Sequence, residues 1–162
     1  MPISRKLALD DAQVEELLTT TWNCRIATLG PKGRINLTPM WFGWAGGKIY
    51  IYGRGQKVEN LRRDPTCTIL VDRNEKFPEL QAVVMQGVAR VLEDAAAEAA
   101  DTDLVLARAQ IGRKYNGGHG QPPVADPPPM AATAQGRNAR WMVFTPQGQV
   151  TWDNFKLAAL RR

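Results

Sequence analysis

The chain has 162 residues, enough for about one domain with a real core. Hydrophobic residues make up 44% and charged residues 23%, the balance of an ordinary globular protein, and no window reaches the ~20 apolar residues of a membrane span. The net charge of +5 favours an anionic partner, but the basic residues are dispersed, without helix-turn-helix, zinc-finger or stacking-platform pattern, so a phosphorylated small molecule fits better than nucleic acid.

The opening "MPISRKLALDD" lacks the apolar core of a secretory signal, and a cytoplasmic protein is expected. "LDDAQVEELLTTT" reads as a helix capped by Asp10 or Asp11, with Val14, Leu17 and Leu18 on one face. "WNCRIATLG" is a strand closed by the turn "GPKG". "RINLTPMWFGW" follows as one strand, with Ile35, Leu37, Pro39 and Trp41 on one face and Asn36, Thr38, Met40 and Phe42 on the other. "AGG" turns the chain into the hairpin partner "KIYIYG". "QKVENLRRD" switches to helical period and stops at Pro65. "TCTILVD" and "ELQAVVMQGVARVLE" are strands, and Gly87 in the second marks a bulge or a close backbone approach. A single helix is expected from Asp94 to Gly117. Five prolines between Pro122 and Pro129 make the segment around 116–135 a loop or lid. "RNARWMVFTP" and "GQVTWDNF" are two closing strands. Seven short strands with few helices between them suit a closed or half-closed antiparallel barrel, in one domain over 1–162.

Two places carry chemistry. At "GRGQKVEN" a strand gives way to a helix, whose first turn offers free N–H groups and the positive end of its dipole. Gly55 admits close backbone approach, while Lys57, Arg54 and Asn60 stand near the same end. Two readings are open, a solvated helix start or a cradle for an anion. Pro39 cannot donate to a ladder, so its strand lies at an edge or is bulged there; a flat heterocycle could use the backbone groups of Thr38 and Met40. Cys24 and Cys67 fit no metal spacing and sit inside strands, so buried free thiols are expected, and one histidine argues against a metal site.

In sequence order, "IATLGPKGRINLTPMWFGWAGGKIYIY", "GQKVENLRRDPTCTILVD" and "VVMQGVARVLED" resemble the split β-barrel flavin and deazaflavin oxidoreductases, the pyridoxamine 5'-phosphate oxidase-like superfamily. The spacing Lys57, Asn60, Leu61, Arg62, Arg63, Asp64, Pro65 is the most characteristic part. "RKYNGG" and "TWDNFKL" look like the branch that uses coenzyme F420, a deazaflavin with a ribityl-phosphate and a polyglutamyl tail. The resemblance implies that Lys57, with backbone at Gly55 and Gln56, takes the cofactor phosphate, supported by Arg54 and Asn60. It implies that Leu37, Thr38, Pro39, Met40 and Trp41 pass alongside the ring and that Ile51, Tyr52 and Gly53 line the ribityl path. A homodimer is implied, with second-subunit residues completing each site; Trp141, or the pair Trp152 and Asp153, are candidates, though core or dimer packing is the simpler reading of both tryptophans. Gly55 departs from the serine or threonine common at that place.

The activity implied is hydride transfer between F420 and an unsaturated or carbonyl substrate, with FMN as the alternative cofactor. A cofactor-binding or storage protein without turnover is the rival. No Ser-His-Asp, Cys-His or paired-carboxylate pattern appears, in keeping with cofactor-borne chemistry. Tyr52 or Tyr115 could deliver a proton; His119 reads as a solvated loop residue.

Overall fold

The computed structural model describes residues 5–115 and 138–160. The expected lid, His119 and the expected helix end at Gly117 lie outside the described residues.

Helix α1 (Asp11–Thr20) is capped by Asp10, whose side chain accepts from Gln13 N–H while Gln13 returns a bond to the Asp10 backbone. Its buried face is the expected Val14, Leu17 and Leu18. Strands β1 (Cys24–Leu29) and β2 (Ile35–Met40) form an antiparallel hairpin. Strands β3 (Gly43–Ala45) and β4 (Lys48–Gly53) form a second, joined by the two-residue turn Gly46–Gly47. Helix α2 (Gln56–Arg63), β5 (Thr66–Arg73), β6 (Gln81–Leu92), helices α3 (Ala95–Ala100) and α4 (Leu104–Tyr115), β7 (Arg140–Asp153) and a short α5 (Leu157–Leu160) follow.

All strands join one antiparallel sheet in the order β2-β1-β5-β6-β7-β4-β3. Its two edges, β2 and β3, are separated in the chain by only Trp41 and Phe42. A sheet whose opposite edges are joined by two residues cannot lie flat, so it curls into a half-closed barrel. This is the expected architecture. Ile26, Ile49, Ile51, Ile69, Met85 and Phe144 fill the interior. Each such side chain contributes about 1.5–3 kcal/mol on burial. A second apolar layer, with Tyr50, Leu92, Trp141 and Val143, is covered by α3 and α4.

Three expectations need correction. The strand 34–44 is two strands, because the run breaks at Trp41–Phe42 where the chain passes from one edge to the other. The helix from Asp94 is two helices, because Asp101 is drawn inward to accept from the Tyr50 hydroxyl at 2.7 Å and to pair with Arg90. The two closing strands are one, β7, which pairs with β6 along its whole length. Pro146 is tolerated because it lies opposite Gly87 at the register shift between Gln86 and Gly87. The bulge lies opposite Gly87, its extra residue being Gln147 on β7, and Gly87 itself is the close approach: a Cβ there would stand 2.2 Å from the Thr145 carbonyl oxygen.

Among the described residues no helix is long and apolar enough to cross a membrane. Cys24 and Cys67 are free and buried, and burial pushes both thiols up to about 12.

Candidate functional site: the β4–α2 corner

Strand β4 ends at Gly53, and Arg54 and Gly55 carry the chain into α2. Gly55 has φ 85° and ψ −157°, a region essentially closed to residues with a Cβ. It caps α2 without a side-chain bond; the Val58 N–H turns back to the Gly55 carbonyl at 3.0 Å, which leaves the N–H groups of Gln56 and Lys57 at the helix start. Lys57 lies in the first turn and donates from Nζ to the Arg54 carbonyl at 2.8 Å. Burial first, and then the neighbouring Arg54 charge, hold its pKa below the ordinary lysine value. Both effects are relieved by an anion beside it.

The curl of the sheet brings the end of β2 to the same corner. A Cβ placed on Gly53 would stand 2.8 Å from Met40 Cε, 3.2 Å from Met142 Cε and 3.9 Å from Lys57 Nζ. Met40, Gly53 and Lys57, far apart in the chain, therefore converge. On the other flank a cleft of about 430 Å³ is lined by Arg54, Gly55, Val58, Glu59, Arg62, Asn138 and Arg140. Arg140 arrives there because it pairs with Gly53 across the β4–β7 ladder. Arg62 is held by Glu93 and Glu59.

Strand β2 is an edge strand, one of the two placements Pro39 allows, and among the described residues it pairs only with β1, with Pro39 opposite Arg25. Its outer row is apolar and open: Ile35 is 74% exposed, Leu37 63% and the following Trp41 53%, with Pro39 exposed between them. Thr38 and Met40 are half-buried on the other face.

Other expected site residues are placed differently. Asn60 is fully buried. Its amide donates to Thr28 Oγ1 at 3.0 Å, and its oxygen accepts from Gln56 at 2.9 Å and Arg63 at 3.2 Å. It docks α2 on β1 and sets the direction in which the helix start points. The Ile51 side chain is fully inside the barrel, and Tyr52 leans on Trp141 in the second layer. Of the run Ile51–Gly53, the corner receives Gly53. Burial raises the Tyr52 phenol, and Tyr115 is raised likewise while its hydroxyl bonds Phe42 N–H, Phe42 O and Trp22 O. Neither phenol is poised to release a proton near neutrality. Trp141 is buried beneath Arg108, and Asp153 is buried and bonds the Phe155 N–H.

Sequence reasoning missed Arg140, Arg62 and Asn138 in the cleft. No local signal marks Arg140; only the register of β4 against β7 places it beside Gly53. Among the described residues no group of three or more His, Cys, Asp or Glu side chains is placed to hold a metal ion.

Residues 10–151 match the family model described as pyridoxamine 5'-phosphate oxidase. Among solved structures, a conserved hypothetical protein of Mycobacterium tuberculosis is similar at a TM-score of 0.76 and 21% identity, over 98% of this chain and 93% of that one. A haem storage protein of Vibrio cholerae aligns at a TM-score of 0.64 and 15% identity, over 88% and 94%. An F420 reductase aligns at 0.56 and 20%, over 84% and 94%. No curated protein matches the sequence. The chain belongs to the pyridoxamine 5'-phosphate oxidase family.

Proposed function

We propose that this member of the pyridoxamine 5'-phosphate oxidase family is an oxidoreductase that binds a phosphorylated flavin-type cofactor at the β4–α2 corner, coenzyme F420 ahead of FMN. The observation that carries the reading is the open start of α2 at Gly55, with Lys57 in its first turn. The residues fit the group: the uncapped N–H groups and the dipole favour a phosphate, and Lys57 supplies a full charge. Leu37, Thr38, Pro39 and Met40 offer the ring an apolar edge strand that converges on the same corner. F420 ranks first because the cleft beyond that corner sets Arg54, Arg62 and Arg140 against the two carboxylates Glu59 and Glu93, a net positive surface for an anionic tail that FMN lacks.

A bound deazaflavin supplies hydride transfer to or from an unsaturated or carbonyl substrate. The chain's own part is to hold and orient. Lys57 and the α2 start fix the phosphate, Asn60 fixes α2 against β1, and the apolar row of β2 excludes water from one side of the ring. A homodimer completes the site in this reading. The open row of Ile35 and Leu37 is the surface a second copy would cover.

Fluorescence titration of the purified protein with F420 and with FMN tests this. F420 is expected to bind more tightly, and tighter binding of FMN would replace the cofactor. Consumption of reduced F420 with a panel of enones and quinones separates turnover from storage.

A further inference from the structure

One built surface lies outside the corner. Trp41 stacks on Tyr115, with ring centroids 4.4 Å apart and planes 2° from parallel. Trp22 stands perpendicular to both, at 6.2 Å from Trp41 and 5.4 Å from Tyr115. We propose that Trp41, backed by Tyr115 and walled by Trp22, is the platform on which a flat, electron-poor ring of the substrate stacks. This moves Trp41 from the cofactor's ring to the substrate's, and its role in turnover rests on the cofactor reading above.

Tyr115 covers one face of the Trp41 indole, yet Trp41 remains 53% exposed, so its accessible area is the opposite face and edge. The strip of chain that carries it is held firmly. Lys114 Nζ donates to the carbonyls of Leu18 (3.3 Å), Thr21 (3.0 Å) and Phe42 (3.2 Å) and lies 3.8 Å from the centre of the Phe42 ring. The Tyr115 hydroxyl bonds Phe42 and Trp22. A half-buried ammonium and a buried phenol thus join the end of α1, the β2–β3 crossover and the end of α4, and the outcome is a tryptophan fixed at the surface. Such a group binds without an ordering cost.

The chemistry of the guest follows from the indole. Its face carries the negative end of a quadrupole, so it stacks best on a coplanar ring depleted of electrons by carbonyl or nitro groups. A quinone is such a ring, and its conjugated carbonyls also make it a hydride acceptor. The platform's backbone begins next to the corner's: Trp41 follows Met40, whose side chain reaches Gly53, by one residue, a step of about 3.8 Å, while the Trp41 side chain stands with the outer row of β2.

The test is equilibrium dialysis of menadione, a flat quinone, against the cofactor-free full-length protein, with cyclohex-2-enone as the non-aromatic control. Wild type, Trp41→Phe, Trp41→Leu and Trp41→Ala are compared, each checked for folding by circular dichroism, and F420 affinity is titrated in parallel. Menadione is expected to bind wild type more tightly than cyclohexenone. Trp41→Phe should stay within about threefold, and the leucine and alanine variants should weaken by roughly tenfold or more. Their F420 affinity should stay within about twofold of wild type. The proposal is overturned if wild type fails to bind menadione, if Trp41→Leu binds it fully, or if the loss falls on F420 instead. Failure of the cofactor reading looks different: neither F420 nor FMN binds while the menadione pattern stands.

Discussion

Gly55 stands where the family resemblance leads one to expect serine or threonine, and its backbone explains the departure. At φ 85° and ψ −157° a side chain is strained whatever room surrounds it. Gly55→Ser is therefore expected to cost about 1–3 kcal/mol of stability by urea unfolding and to leave cofactor affinity no better. Tighter binding at an unchanged unfolding midpoint would show that the hydroxyl matters more than the backbone. Lys57 is the opposite case: in the proposed site its charge is what holds the phosphate. Lys57→Ala should weaken F420 binding by about 1.5–3 kcal/mol, the worth of a charge-assisted hydrogen bond. Unchanged affinity in a titration would place the phosphate elsewhere. Lys57 was legible in the sequence from its spacing to Asn60 and Arg63. The true task of Asn60 was not, because an asparagine near a helix start reads alike whether its amide faces a ligand or, as here, Thr28 on a strand 32 residues earlier.

At the scale of elements, local pattern sufficed where one face of one element is buried, as in α1, whose cap and apolar face both appear as read. It failed where a neighbour decides. The run from Ala95 to Tyr115, read as one helix, breaks at Asp101–Asp103, where weak helix formers meet a neighbour: Tyr50 and Arg90 claim the Asp101 carboxylate. Pro146 sits within a 14-residue strand because Gly87 opposite it opens the ladder. Gly87→Ala should lower stability by about 1–3 kcal/mol in urea, since the atom it meets is a backbone carbonyl and cannot swing aside. Lys114 gives a pH test. Burial holds its pKa down to about 8 from an ordinary 10.5. Between those two values the unfolded chain binds the extra proton, so wild-type stability should rise with pH across that window. Lys114→Met should lack that rise when urea midpoints are compared from about pH 7 to pH 10. Cys24, facing Lys114, stays a thiol throughout because burial pushes it up to about 12.

The whole molecule is governed by one connection. Because Trp41 and Phe42 alone join the two edges of a seven-stranded sheet, the ends of β2 and β4 are forced together, and the corner exists as a consequence. The same closure leaves Ile35 and Leu37 on β2 open to solvent, which is why a second copy is proposed over those two residues. Replacing Ile35 and Leu37 together by glutamate should give a monomer in analytical ultracentrifugation and weaken F420 by about tenfold or more, because two charges cannot be buried unpaired. A dimer that survives the double change would move the interface elsewhere. Raising salt should weaken F420 more than FMN if the arginine cleft holds a charged tail.

The sequence by itself determined the strand-rich class, an edge or a bulge at Pro39, the helix after Gly55 and the lysine in its first turn, because each is written within a few neighbouring residues. Only the tertiary structure decided that Met40, Gly53, Met142 and Lys57 meet, that Arg140 joins the cleft, and that Trp22, Trp41 and Tyr115 form one aromatic corner. Those contacts span tens of residues of chain, and sheet register and closure, which no local periodicity encodes, bring them together.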